Sequence, residues 1–191
     1  MLQKQIQVKA DSDLKKFEFI KFPKCANYVV LREDFGNDAS DAQFRKVAVN
    51  FALGIKSAML CGEFYGIVLV DNRDRYLGLF KRDRFRFLAA QPLLPHCVNN
   101  GDDECNRQTE AIAEQVARSE LGLILKSPSG RHDLGETVKF PVQETELLVD
   151  IVKSEDFAQT DIFAVVDRYG EFKGLLPKSI IFDQITISLF H

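Results

Sequence analysis

The chain has 191 residues and no tryptophan, and none of its four cysteines (Cys25, Cys61, Cys97, Cys105) stands in a CxxC pair. The missing pair removes the ligand hairpin that most structural zinc sites are built on. In a reducing compartment the four thiols are expected to stay free. No apolar run approaches the roughly 18 residues that a membrane helix needs. Residues 1–11 carry no apolar core segment, so no secretory signal is expected there. There is no Gly-x-Ser-x-Gly elbow, no phosphate-cradling P-loop and no GxGxxG turn. Positive charge is not in excess either. The net charge is −3, so bulk electrostatics draws the chain to neither nucleic acid nor anionic lipid. These absences point to a cytoplasmic, non-catalytic protein that does not work on a membrane or on nucleic acid.

What is present is an ordinary globular composition, 46% apolar and 28% charged, with phenylalanine over-used at 16 copies. A Phe-rich core packs large rings that need few polar partners. Charge is uneven along the chain. Residues 71–90 hold six basic and three acidic side chains, and residues 101–120 hold six acidic and two basic ones. Local patches therefore matter more than the total.

Residues 1–35 read as an irregular leader with extended pieces at 16–22 and 27–31, and residues 36–40 read as a turn. A helix follows, because Phe44, Val47, Ala48, Phe51, Ala52 and Ile55 fall on one stripe at i, i+3, i+4, i+7, i+8 and i+11. Residues 65–70 form a short, β-branched apolar run that reads as a buried strand. A polar turn at 72–75, a strand at 76–80 and a helix at 83–90 come next, the last with Phe85, Leu88 and Ala89 inward. Residues 96–107 read as an exposed loop and 109–121 as a helix with Ile112, Ala113, Val116 and Ala117 on one face. Residues 127–135 read as a further loop. The last third has a helix at 146–153 with Leu147, Leu148, Ile151 and Val152 apolar. It continues with strands at 162–166 and 172–176 around a turn at 167–171, and a helix from 179.

The middle and the last third are one pattern written twice. Val68-Leu69-Val70-Asp71 lies over Ala164-Val165-Val166-Asp167 at an offset of 96 residues. Seven residues after each aspartate comes a glycine, Gly78 and Gly174. An apolar strand ends at an Asp whose side chain bonds the following turn. The strand that returns carries Gly where backbones come close. One such unit cannot bury its apolar faces alone, whereas two packed together can.

This pattern resembles the tandem CBS (cystathionine-β-synthase-type) domain, or Bateman module. Residues 140–187 carry the resemblance through Val165-Val166-Asp167, Gly170, Phe172, Gly174 and Leu175. Residues 40–90 carry it through the 41–55 helix, Val68 to Asp71, Leu77-Gly78-Leu79 and Arg82-Asp83. The resemblance implies an α/β (α+β) fold of two β-turn-β-helix repeats packed as a pair. The expected division is an N-terminal extension (1–39), a first unit (40–90), a helical insert (91–139) and a second unit (140–191). It also implies a regulatory module that binds an adenine nucleotide or related phosphorylated ligand between the units and dimerises through its helices. The implied ligand residues are Lys81, Arg82 and Arg84 in the first unit and Lys178 and Ser179 in the second. In nucleotide-binding copies of the family, Ser or Thr and then Asp hold phosphate and ribose. Those positions are Lys81 and Arg84 in the first unit and Pro177 and Ile180 in the second. The exchange keeps a second function open: a ligand-free dimerisation or scaffold domain acting on an attached or partner output protein.

Four further features read as structural. Lys81 to Phe87 interleaves cations with Phe, as an amphipathic helix start does with its rings inward. His96, Cys97 and Cys105 lack an evident fourth ligand for zinc. Arg131-His132-Asp133 lies between glycines with no nucleophile nearby, which suits a solvated turn. The acidic stretch 144–161 reads as the wet face of a helix with its loop.

Overall fold

A computed structural model describes residues 7–10, 27–33, 40–60, 62, 64–90, 103–126 and 141–189. The strand expected at 16–22 and the turn at 36–39 lie outside these residues. So do residues 96–102, the loop at 127–135 with its His-Asp pair, and the side chains of Cys105, Ala89 and Ile112.

The elements run β1 (Gln7–Ala10), β2 (Tyr28–Arg32), α1 (Asp41–Leu60), β3 (Gly66–Val70), β4 (Tyr76–Lys81), a 3-10 turn (Arg82–Phe85) and α2 (Arg86–Ala90). They continue with α3 (Asp103–Arg118), α4 (Glu120–Lys126), β5 (Val142–Gln143), α5 (Leu148–Lys153), α6 (Glu155–Gln159), β6 (Ile162–Val166), β7 (Phe172–Pro177) and α7 (Lys178–Leu189). One sheet has the order β1-β2-β3-β4 and the other β5-β6-β7. In each, a parallel strand is followed by an antiparallel hairpin.

The two sheets lie face to face between two layers of helix, so the central strands are buried on both sides. Along β2 and β3, Val29, Leu31, Ile67 and Leu69 point into the helical core of the first unit. The alternate residues Tyr28, Val30, Val68 and Val70 point to the other sheet, where they meet Ala164, Phe172 and Leu175. Phe163, Val165 and Leu176 enter the helical core of the second unit. Burial on both faces explains why these strands read as unbroken apolar runs and not as alternations. The α1 stripe is buried as its spacing predicts and extends through Ala58 and Met59.

The structure corrects several boundaries. The 83–90 helix opens with a 3-10 turn. Residues 103–107, expected in a loop, form the first turns of α3. The 109–121 helix breaks at Ser119, whose hydroxyl donates to the Val116 carbonyl at 2.6 Å. Gly122 allows the corner there: a Cβ at that position would sit 2.2 Å from the Ala117 carbonyl oxygen. Helices α3 and α4 pack on the first unit, adding Val116, Leu121, Ile124 and Leu125 to its core. Leu147, one of the apolar residues of the expected 146–153 helix, is exposed, because the helix begins only after it.

Candidate functional site

The aspartate that ends each apolar strand organises the turn after it. The Asp71 carboxylate accepts the Arg73 and Arg75 amides, each at 2.8 Å, and the Arg75 guanidinium at 2.7 Å. One repeat later, Asp167 accepts the Tyr169 amide at 2.8 Å and the Glu171 amide at 3.0 Å. Lys173 Nζ lies 3.1 Å from Asp167 and 3.0 Å from Glu171. Desolvation pushes the Asp71 carboxyl up, but the bonds from Arg75 and Arg73 outweigh it and hold the group below the usual aspartate range. Asp167 is set the same way, by desolvation against the bonds from Tyr169, Glu171 and Lys173, with a lowered pKa as the net result. The hydrogen bonds that Lys173 donates to Glu171 and Asp167 raise its pKa.

These turns are where the units meet. The Tyr76 amide donates to the Gly170 carbonyl at 3.0 Å, and the Phe172 amide donates to the Asp74 carbonyl at 2.9 Å. Each bond is the other's counterpart at the 96-residue offset, so the joint has a pseudo-two-fold at the antiparallel bridge between Arg75 and Glu171. The bonding residues in the turns, Asp74 (φ 59°) and Gly170 (φ 81°), share the left-handed conformation. Tyr76 stacks on Phe172 at 6.1 Å, and Tyr28 meets Phe172 edge-on at 5.7 Å. Burial pushes the Tyr28 and Tyr76 phenols upward in pKa.

The repeat also holds at the open ends of the hairpins. The Arg82 amide donates to the Tyr65 carbonyl at 2.8 Å, and the Lys178 amide donates to the Asp161 carbonyl at 2.8 Å. The five expected ligand residues sit at these ends, one strand-length from the turns. Arg82 caps the end of α1, donating to the Gly62 carbonyl at 3.0 Å and the Met59 carbonyl at 3.3 Å. Arg84 pairs with Glu120 at 2.8 Å and lies 6.0 Å from the Phe80 ring centre. Lys178 Nζ lies 4.6 Å above the Phe157 ring. Lys81 is half-buried at the end of β4, and Ser179 is exposed. Among the described residues, no hydrogen bond or ion pair joins Lys81, Arg82 or Arg84 to Lys178 or Ser179. The spacing of the cations is legible in the sequence, but their partners are not. Met59, Gly62 and Glu120 lie 20 or more residues away from the cations they engage. Among the described residues no cluster of His, Cys, Asp and Glu could hold a metal ion. No helix among them is long and apolar enough to cross a membrane.

The fold and its joint define a tandem of two related β-turn-β-helix units. Among the solved structures similar to the chain are the following three. One is CBSX2 in complex with AMP, at 15% identity over 75% of this chain and 84% of that one, with a TM-score of 0.42. The second is a CBS domain-containing protein of unknown function from Kribbella flavida DSM 17836, at 14% identity over 82% and 91%, TM-score 0.44. The third is the CBS domain of a CBS domain-containing membrane protein from Sphaerobacter thermophilus, at 14% identity over 83% and 82%, TM-score 0.43. No family model and no curated protein matches the chain. The reading of two related units rests on the chain's own bonds at the 96-residue offset.

Proposed function

We propose that this chain is a non-catalytic regulatory module of the cytoplasm, in which two CBS-like units respond together to a phosphorylated ligand of the adenine-nucleotide class. The observation that supports it is the pseudo-two-fold joint. Both turn-forming aspartates and the buried rings between the sheets serve to fix one unit against the other. A ligand that binds one joined arrangement better than another shifts the pair as a unit and passes that shift to an attached or partner protein. The ligand would draw on Lys81, Arg82 and Arg84 and on Lys178 and Ser179. Lys81, placed where the family's nucleotide-binding copies carry Ser or Thr, favours an anionic polyphosphate.

One observation favours a second reading, a ligand-free scaffold that dimerises through its helices. Arg82, Arg84 and Lys178 already have partners within the chain, and a ligand would have to displace them. A thermal-shift series with AMP, ADP, ATP, S-adenosylmethionine and cyclic dinucleotides separates the two. Ligand at about 100 times its dissociation constant adds roughly 2.7 kcal/mol. The sensor requires a shift with one nucleotide that Lys81→Ala and Arg84→Ala abolish. No shift with any of them, together with a dimer in solution, supports the scaffold.

A further inference from the structure

A cavity of about 260 Å³ opens on the helical side of the second sheet. Val142, Val165 and Leu176 of the sheet form its floor, with Ile151 of α5 and Ile181 of α7 at its sides. Glu144, Glu146 and Gln184 also line it.

Laying one repeat on the other accounts for the space. At the 96-residue offset Leu176 and Ile181 correspond to Phe80 and Phe85. The strand register puts Val142, opposite Val165, where the first unit has Leu31, opposite Leu69. Leu31, Phe80 and Phe85 are each at most 1% exposed. All three exchanges remove side-chain volume. The helical cover is reduced too. The connection from β5 to β6 (residues 144–161) is fifteen residues shorter than that from β2 to β3 (33–65), and α5 has 6 residues where α1 has 20. The second repeat thus holds room where the first holds side chains.

The lining also selects by charge. Two carboxylates, Glu144 and Glu146, stand among the lining residues, and no cation does. Phosphate is repelled there and a positive group is attracted. The volume falls just below the roughly 300–1,000 Å³ typical of small-molecule sites. It suits one ring or branched alkyl group on a short arm and is small for a nucleotide.

We propose that the second unit carries a ligand site on the helical side of its sheet for a compact organic cation. The apolar body of an alkyl- or arylalkyl-ammonium enters between the sheet and α7, and its charge stays beside Glu144 and Glu146. The site uses none of the five residues considered for nucleotide, so it stands or fails apart from that reading.

The test uses the full chain with 2-phenylethylammonium and its neutral counterpart 2-phenylethanol, read by titration calorimetry and thermal shift. The ammonium should bind roughly tenfold tighter than the alcohol, a difference of about 1.4 kcal/mol. Ile181→Phe, which copies the first repeat, should abolish binding of both while unfolding remains cooperative. Glu144→Gln with Glu146→Gln should keep apolar binding and level the two probes. If Ile181→Phe does not fold, Leu176→Phe fills the same space and gives the same reading. The proposal is overturned if the wild-type chain binds neither probe or binds both equally. Binding that survives in a folded, cavity-filled variant also overturns it.

Discussion

Tyr76 and Phe172, 96 residues apart, stack on each other with ring centres 6.1 Å apart, each at the head of the returning strand of its own hairpin. Phe172 also meets Tyr28, so one ring closes the space between the sheets. Phe172→Ala should cost about 3 kcal/mol, which lowers the melting midpoint by roughly 6–12 °C for a chain of this size. Phe172→Tyr, which copies the other repeat, should keep most of that stability. Calorimetric melting of the two variants checks the pair.

Acid should loosen the joint from its turns. The pKa of both Asp71 and Asp167 is lowered in the fold. A depressed carboxylate contributes stability that is present above its unfolded pKa of about 3.9. That contribution is lost as pH falls through the lower folded value. The wild-type midpoint should therefore drop steeply below about pH 4. A chain carrying Asp71→Asn and Asp167→Asn should be less stable at pH 7 and should lose less between pH 5 and pH 3. Melting midpoints across that range test the sign.

Glycine is required at the open end of the first hairpin. At Gly66 (φ +150°) a Cβ would lie 2.0 Å from the Phe80 carbonyl oxygen, a backbone atom that cannot step aside. Gly66→Ala should cost at least about 3 kcal/mol. Gly170 has the positive φ of its turn but open space around it, so Gly170→Ala should cost only about 1–2 kcal/mol. Urea unfolding of both variants separates the clash from the conformational cost.

Arg82 lends itself to a test of structural against ligand roles. Its guanidinium holds the Met59 and Gly62 carbonyls at the end of α1. Arg82→Ala should cost about 1 kcal/mol without any ligand present, measurable by urea unfolding. A residue that served only a ligand would leave the ligand-free chain unchanged.

The repeat was legible because its signals are local. The Val-Asp ending of each apolar run, the turn after it and the glycine seven residues on all lie within about a dozen positions. The α1 stripe was legible for the same reason, since one helix face repeats every few residues. What the sequence concealed depends on distance. Arg84 reads as a ligand cation until Glu120 is seen beside it. Leu147 reads as one of the apolar residues of a helix until that helix is seen to begin after it, leaving the side chain outside. The cavity was hidden as well, because the smaller residues that make it are each ordinary core residues. Only strand register sets Val142 against Leu31.

The joint between the hairpins has a further consequence for assembly. Its two halves are the same surface presented twice, and each half satisfies the other. Such a self-complementary contact closes on itself and has no free end. Because the chain carries both halves, it saturates the contact internally, and a second chain finds no vacant half to add to. Growth into open-ended filaments through this face is therefore blocked by connectivity, and any higher assembly has to use a different surface.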